Sequence, residues 1–521
     1  MDGKSGNPAD GGRRGRPAGQ PGRNRNAQRK NNPCKETAST RNLPADGREA
    51  ALRVLKDCRR NGAWADAALR ALLDRSRLSP ADAALCSRLV YGVLQNRLLL
   101  DFYLDHFCTQ RLDHLQHPLP DILRLGAYQI LFLDRVPDRA AVGEAVELAK
   151  KSGQGKAGGL VNAVLRNLSR SKENLSALPD GVSGLSIRSS HPLWLVERLV
   201  ELLGAAEAEA FLAADNTLAP LTVQVNPLRT APAELVSDLA AAGIAARPHP
   251  WVPGCLELDG AGDLTALEAF RAGEFFVQDP AARLVTLAAG VRPGQRILDV
   301  CAAPGGKSFS AALALLSGGS RSVDGNSGAD AEPYPKGRDM EPSEPPCRLN
   351  PGENRVLSCD LHANKLRRIR EGAARLGLAE AIETVQADGR ERRSNWEGQF
   401  DTVLADVPCS GLGVIRKKPD IRYKDPSEFA KLPDLQGEIL ANAAAYVKYG
   451  GILVYSTCTI LPEENQGVTD AFLSKHPEFM RKPFSLPDGF PGDRETDGSL
   501  TLWPHRHGTD GFYLCVMTRQ G

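Results

Sequence analysis

The spacing of apolar residues changes character along this chain. Between about Gly47 and Arg170 they recur every three or four positions in REAALRVLKDC, ADAALRALLDR, DAALCSRLVYGVLQNRLLLDFYLDHF, LPDILRLGAYQILFL and AAVGEAVELAKK. That is the period of amphipathic helices. Turn signals at Ser79-Pro80 and Val136-Pro137-Asp138 separate them. The pattern predicts an all-α bundle of single-domain size over 47–172. SKENLSALPDGVSG then reads as a linker. Over 190–273, helical HPLWLVERLVELL, AEAEAFLAADN and AELVSDLAAAG mix with strand-like LTVQVNP, which predicts a small α+β domain. Over 274–521 the apolar runs RILDVCA, RVLSCDL, IETVQAD, FDTVLADVPC, GILVYSTC and FYLCVMT alternate with helical stretches. This alternation predicts an α/β domain with a mostly parallel sheet and helices on both faces.

Two stretches lack any period. Residues 1–46 are rich in Gly, Asn, Pro and Arg, with few large apolar side chains, and are expected to form a disordered basic tail. Its arginines suit a weak electrostatic tether to RNA phosphates. Residues 318–354 are polar and rich in Pro and Gly, too long for a loop within a compact domain, and read as a disordered insertion.

Composition adds mainly exclusions. The net charge of +2 makes no argument for nucleic acid by itself. No run of about 18 apolar residues appears, so no membrane span is expected. The basic N-terminus lacks an apolar stretch behind it, which argues against a secretory signal. The eleven cysteines have neither C-x-x-C pairs nor histidines at zinc spacing. They read as free thiols of a cytoplasmic protein, with no metal site.

The candidate chemistry lies at the predicted strand ends. In DVCAAPGGKSFSAALAL a strand ends near Asp299, a small-residue loop follows, and a helix begins near Lys307. Such a loop lets a ligand approach the backbone, and the helix N-terminus favours an anionic group. The string matches neither G-x-G-x-x-G nor G-x-x-x-x-G-K-[ST], which disfavours dinucleotide and nucleoside triphosphate readings. Asp360 ends the second run, where it is placed to accept ribose hydroxyls. Asp388 follows the third, beside the expected place of an adenine ring. Each aspartate alone could be a helix cap or turn residue. Together with the loop they favour a nucleoside-containing cofactor.

CAAPGGK, Asp360, Asp388, DVPCSG and YSTCTILPEEN resemble the motifs of the Sun/RsmB-type RNA cytosine-5 methyltransferases of the Nop2/Sun family. The resemblance runs from about Ala50 to the end of the chain. It implies a NusB-like RNA-binding helical domain over 47–172, carried by LRLGAYQILFLDRVPDRAAVGEAVELAK and GGLVNAVLRNL. It implies a Rossmann-like methyltransferase domain that binds S-adenosylmethionine (AdoMet) through Cys301, Ala302, Ala303, Pro304, Gly305, Gly306, Lys307, Asp360, Asp388 and Asp406. The implied partner is RNA, 16S ribosomal RNA or an assembly intermediate, and the implied state is a monomer. Two positions depart from the family pattern: Val407 where Ala is usual in DAPC, and Pro280 where Ser or Ala is commoner.

The chemistry explains a pair of cysteines. Carbon 5 of cytosine is a poor nucleophile until a thiolate adds to carbon 6. By the resemblance Cys458 is that thiolate, Asp406 engages ring nitrogen 3, and Cys409 assists release of the methylated base. The Cys458 thiolate needs a lowered pKa or a nearby base, and Lys307 is a candidate neighbour. Cys58, Cys86, Cys108, Cys255, Cys359 and Cys515 read as inert core thiols, and at Cys301 the backbone matters rather than the thiol. His191 reads as a turn residue before a helix, and Trp194 as core. Arg416, Lys417 and Lys418 border the site and are candidates to hold target phosphates. Competing readings are a transfer-RNA methyltransferase, a non-catalytic RNA-binding assembly factor, and a DNA cytosine methyltransferase. Intact Cys458, Cys409 and Asp406 argue against the second. The third would use Cys409 as nucleophile, and Cys458 argues against it.

Overall fold

A computed structural model describes residues 43–61, 63–317 and 355–521. The expectations for 1–42 and for the insertion lie outside these residues.

The first periodic segment forms helices Gly47–Asn61, Ala65–Arg75, Pro80–Gln95, Arg97–Phe107, Leu119–Phe132, Asp138–Lys151 and Gly158–Ser171. Their apolar stripes close on one core that includes Leu89, Leu100, Ile122, Leu125 and Leu165. Local sequence sets the helix starts. Ser79 Oγ accepts the Asp82 N–H at 3.1 Å, with Pro80 opening the helix behind it. One buried cation sits within the bundle: Arg124 reaches Asp101 at 2.6 Å and Asp121 at 3.0 Å.

The segment read as a linker contains a helix, Gly181–Ser189. Its Ser- and Gly-rich sequence gives little apolar period. It is fixed instead by long-range bonds, such as Leu98 N–H to Ser190 Oγ at 2.8 Å. The next two helices, Leu193–Leu203 and Ala205–Asp215, bury Leu195, Leu199, Phe211 and Leu212 against Leu412, Ile415, Ile421 and Ile460. They therefore pack on loops of the C-terminal domain, although sequence grouped them with the small mixed domain. That domain is a four-stranded antiparallel sheet of β1 (Leu221–Val225), β2 (Ala245–Pro248), β3 (Cys255–Asp259) and β4 (Phe275–Val277), in the order β2-β3-β1-β4. Helix Pro232–Ala241 covers it through Leu235 and Leu239. The short β4 lies past the boundary expected at Gly273.

The C-terminal domain holds β5 (Ile297–Asp299), β6 (Val356–Asp360), β7 (Ile382–Gln386), β8 (Phe400–Asp406), β9 (Val447–Thr457), β10 (Phe479–Arg481), β11 (Ser499–Leu502) and β12 (Phe512–Arg519). The order is β10-β12-β9-β8-β5-β6-β7, with β11 also paired to β12. β5 to β9 run parallel, and β12 is antiparallel to β9, with Cys515 opposite Tyr455. Helices Gly306–Leu316, Ala363–Leu376, Leu432–Tyr446 and Gln466–Lys475 pack around the sheet. The strand order reverses at β5, which lies between β6 and β8. In an open α/β sheet the crevice for a ligand opens there, at the carboxyl ends.

Candidate active site

The candidate side chains gather around that crevice, on strand ends and on the loops and helix start that follow them. β5 stops at Asp299, which is fully buried and accepts the Ser308 hydroxyl at 2.7 Å. Burial raises its carboxyl to about 7. The chain turns at Ala302–Gly305 and enters the helix at Gly306. Gly305 is required here: its φ is +114°, and a Cβ would lie 2.6 Å from the Phe309 ring. Lys307, in the first helical turn, reaches across to β8, where its Nζ lies 2.7 Å from Asp406 Oδ2. The second Asp406 oxygen accepts the Ser456 hydroxyl at 2.7 Å. Burial disfavours the charge on Lys307, but Asp406, then Asp299 and Cys458, together outweigh it and hold the ammonium above its ordinary range.

Past β8 and β9 the two cysteines meet. Cys409 Sγ and Cys458 Sγ are 3.3 Å apart, and both residues are half-buried. The contact with Cys458, then burial, push the Cys409 thiol well above its usual value. Burial also raises the distant thiols: Cys86 to about 12, Cys359 to about 12 and Cys515 to about 11. Burial raises Cys301 as well, which suits an inert thiol.

Of the remaining predicted residues, Asp360 ends β6 and is buried. Its Oδ1 accepts the His362 N–H at 2.9 Å and lies 3.7 Å from Lys365 Nζ. Asp388 is tied by Arg390, whose Nη2 lies 2.6 Å from Oδ2 and whose N–H reaches Oδ1 at 2.9 Å. The basic run after Cys409 does not face outward as a unit. Lys417 is paired with Asp279 and with Asp510, the latter at 2.8 Å, and Arg416 donates to the Gly508 carbonyl at 3.3 Å. Only Lys418 is exposed. These pairs correct the reading of all three as phosphate holders, because Lys417 neutralises two carboxylates within the fold.

Similarity to known proteins decides what this crevice belongs to. The NusB family model matches residues 45–170, an RsmF/B-like ferredoxin-like domain matches 191–265, and the 16S rRNA methyltransferase RsmB/F model matches 347–518. The probable ribosomal RNA small subunit methyltransferase B of Bacillus subtilis is 35% identical over 91% of this chain and 99% of its own length. The chain belongs to the RsmB (Sun) family of ribosomal RNA small subunit methyltransferases. The Vibrio cholerae ribosomal RNA small subunit methyltransferase B is 32% identical over 86% of this chain and 92% of its own. The crystal structure of PH0851 shares the fold, with a TM-score of 0.71 at 24% identity over 92% of this chain and 99% of that one.

As a member of the RsmB family the chain is an AdoMet-dependent RNA methyltransferase. The crevice fits that donor. Asp299 Oδ1 is buried without a hydrogen-bond partner, Asp360 stands at the neighbouring strand end, and a glycine-lined turn leads to a free helix N-terminus. Among the described residues no cluster of His, Cys, Asp or Glu could hold a metal, and no helix is long and apolar enough to cross a membrane.

Sequence reasoning missed three residues that hold the RsmB-type loops in place. Arg422 is fully buried and donates to Asn216 Oδ1 at 2.9 Å. Tyr423 donates to the Leu94 carbonyl at 2.8 Å, tying the segment after Cys409 to the helical domain. Glu464 is 1% exposed and accepts the Ser410 N–H at 2.9 Å. Glu464 lay in YSTCTILPEEN, and Arg422 and Tyr423 in the stretch that carries Arg416 to Lys418, but none of the three was itself singled out. His191 forms the turn before helix Leu193–Leu203, as expected, and is fully buried. Trp194 is half-buried beside Phe429.

Proposed function

We propose that this chain methylates carbon 5 of a cytosine in small-subunit ribosomal RNA, through a covalent adduct on Cys458. The observation that carries this reading is the pair of thiols 3.3 Å apart beside the Lys307–Asp406 ion pair. AdoMet, held by the Cys301–Lys307 loop, Asp360 and Asp388, supplies an electrophilic methyl group. The Cys458 thiolate adds to carbon 6, and a sulfur–carbon bond forms while the ring electrons move toward carbon 5 and nitrogen 3. Asp406 passes a proton to nitrogen 3, drawn from the Lys307 ammonium 2.7 Å away, and takes it back when the adduct collapses. Carbon 5 then carries both the methyl group and a proton. That proton passes to solvent water, its bonding electrons restore the ring, the carbon–sulfur bond breaks and Cys458 leaves as thiolate, with the protonated Cys409 thiol assisting release by a hydrogen bond to the departing sulfur. Attack above the ring plane needs an unstacked base, so a loop or single-stranded site is the expected target.

The test is bisulfite sequencing of ribosomal and transfer RNA from a deletion strain and from the strain complemented with the intact gene. Loss and recovery of one 5-methylcytosine in small-subunit ribosomal RNA supports the proposal. A lost position confined to transfer RNA moves the substrate, and no lost position overturns the chemistry.

A further inference from the structure

Cys409 and Cys458 sit on loops from different strands, and nothing in their own sequence fixes the gap between them. One carboxylate spans both loops. Glu464 Oε2 accepts the Ser410 N–H at 2.9 Å and the Gln436 Nε2–H at 2.8 Å. Gln436 Nε2 also donates to the Pro408 carbonyl at 3.0 Å, so the backbone is gripped on both sides of Cys409. On the other loop, Thr459 directly follows Cys458. Its hydroxyl lies 3.4 Å from Glu464 Oε1 and 2.7 Å from Ser410 Oγ. Tyr455, three residues before Cys458, donates to the Glu464 carbonyl at 2.5 Å.

Glu464 has no cationic partner within salt-bridge distance among the described residues. Its neighbour Glu463 points outward and pairs with Arg198. A buried carboxylate is costly unless hydrogen bonds satisfy it. This one is satisfied by groups that flank the two reactive thiols. Its negative charge also adds, behind the Cys458 contact and burial, to the factors that keep Cys409 protonated.

We infer that Glu464 is a positioning residue that sets the Cys409–Cys458 separation by holding Ser410 and Thr459 at once. The inference rests on the proposed roles of the two cysteines, because a fixed gap matters only if both thiols act on one base. A glutamine can keep this geometry: its amide oxygen accepts from Ser410 and Gln436, and its NH2 faces the Thr459 hydroxyl. An alanine cannot.

The test uses full-length Glu464→Ala and Glu464→Gln. The rate of Cys409–Cys458 disulfide formation with diamide, a thiol oxidant, reads the gap without any substrate. Peptide mapping identifies the bond. Turnover with small-subunit ribosomal RNA reads kcat and KM, and calorimetry reads AdoMet affinity. Displacing reacting groups by about 1 Å costs on the order of a hundredfold in rate. The expected result for Glu464→Ala is trapping and kcat both reduced about tenfold or more, with AdoMet affinity retained. Glu464→Gln should restore both to within a few-fold. Wild-type trapping and kcat in Glu464→Ala overturn the inference. So does equal loss of AdoMet binding in both variants, which would mark a general folding role. If Cys458→Ala still methylates RNA, the proposed chemistry fails instead, and the trapping result stands apart from it.

Discussion

Lys307 Nζ lies 2.7 Å from Asp406 Oδ2, so the donor loop after β5 and the end of β8 meet through one ion pair. Lys307→Met should leave the Asp406 carboxylate without its cation where charge develops on the base. Removing one such stabilising group costs about a hundredfold to a thousandfold in kcat. Methyl transfer under saturating RNA and AdoMet measures it, and a loss below tenfold would remove Lys307 from the reacting set.

The two thiols should fail in different ways. Cys458→Ala is expected to give neither adduct nor product. Cys409→Ala should attack and transfer the methyl group, then stall with RNA attached to Cys458. A denaturing gel would show a slower, ribonuclease-sensitive protein band in Cys409→Ala alone. A band in Cys458→Ala and none in Cys409→Ala would exchange the roles.

Asp360 ends β6 beside the donor crevice. Asp360→Ala should weaken AdoMet binding about tenfold to a hundredfold, the value of hydrogen bonds to a charged group. Asp388→Ala should matter less, because Arg390 already engages both oxygens of that carboxylate. Calorimetry separates them, and equal effects would contradict the ranking.

Gly413 and Gly511 cross so closely that a Cβ on Gly413 would lie 1.8 Å from the Gly511 carbonyl oxygen. The Gly511 N–H also donates to the Gly413 carbonyl at 2.8 Å. Gly413→Ala should therefore separate the Cys409 loop from the turn before β12. The expected cost is about 1–3 kcal/mol, the range for overpacking, seen as a lower melting temperature. An unchanged melt would mean the crossing relaxes freely.

Asp215 is fully buried, and burial raises its carboxyl to about 7, against the pull of Arg422 and Arg416 and with Asp510 adding to the rise. Between about pH 4 and pH 7 the folded chain holds a proton that the unfolded chain has released. The stability from this group is full below about pH 4 and is lost as pH rises through about 7. His191, 3.6 Å away, runs the other way, because burial holds it neutral well below its ordinary range. Asp215→Asn removes only the first effect. It should raise the melting temperature relative to wild type at pH 8 more than at pH 5, by about 2–4 °C per kcal/mol. A gap independent of pH would refute the assignment.

Much of this arrangement was legible because the chemistry sits at strand ends, and strand ends show as apolar runs that stop. Asp299, Asp360, Asp406 and Cys458 are all found that way. What joins those ends was not legible. Lys417 read as one of three cations bordering the site and open to phosphates, yet its partners Asp279 and Asp510 lie far away in sequence on both sides. Arg422 follows a basic stretch and gave no sign of burial. Helix Gly181–Ser189 has too weak an apolar period to announce itself, and the helices over 193–215 gave no clue that they pack on the loops that follow Cys409 and Cys458. In each case a long-range contact decides, and local pattern carries no record of it.

The place of β12 has a consequence for synthesis. The strand lies between β9 and β10, and the Gly511 turn before it braces the Cys409 loop. On a growing chain every proposed catalytic residue emerges before that stretch does. The crevice is therefore finished only once residues 508–519 have left the ribosome. Until then β9 presents a bare edge with Cys409 and Cys458 already made.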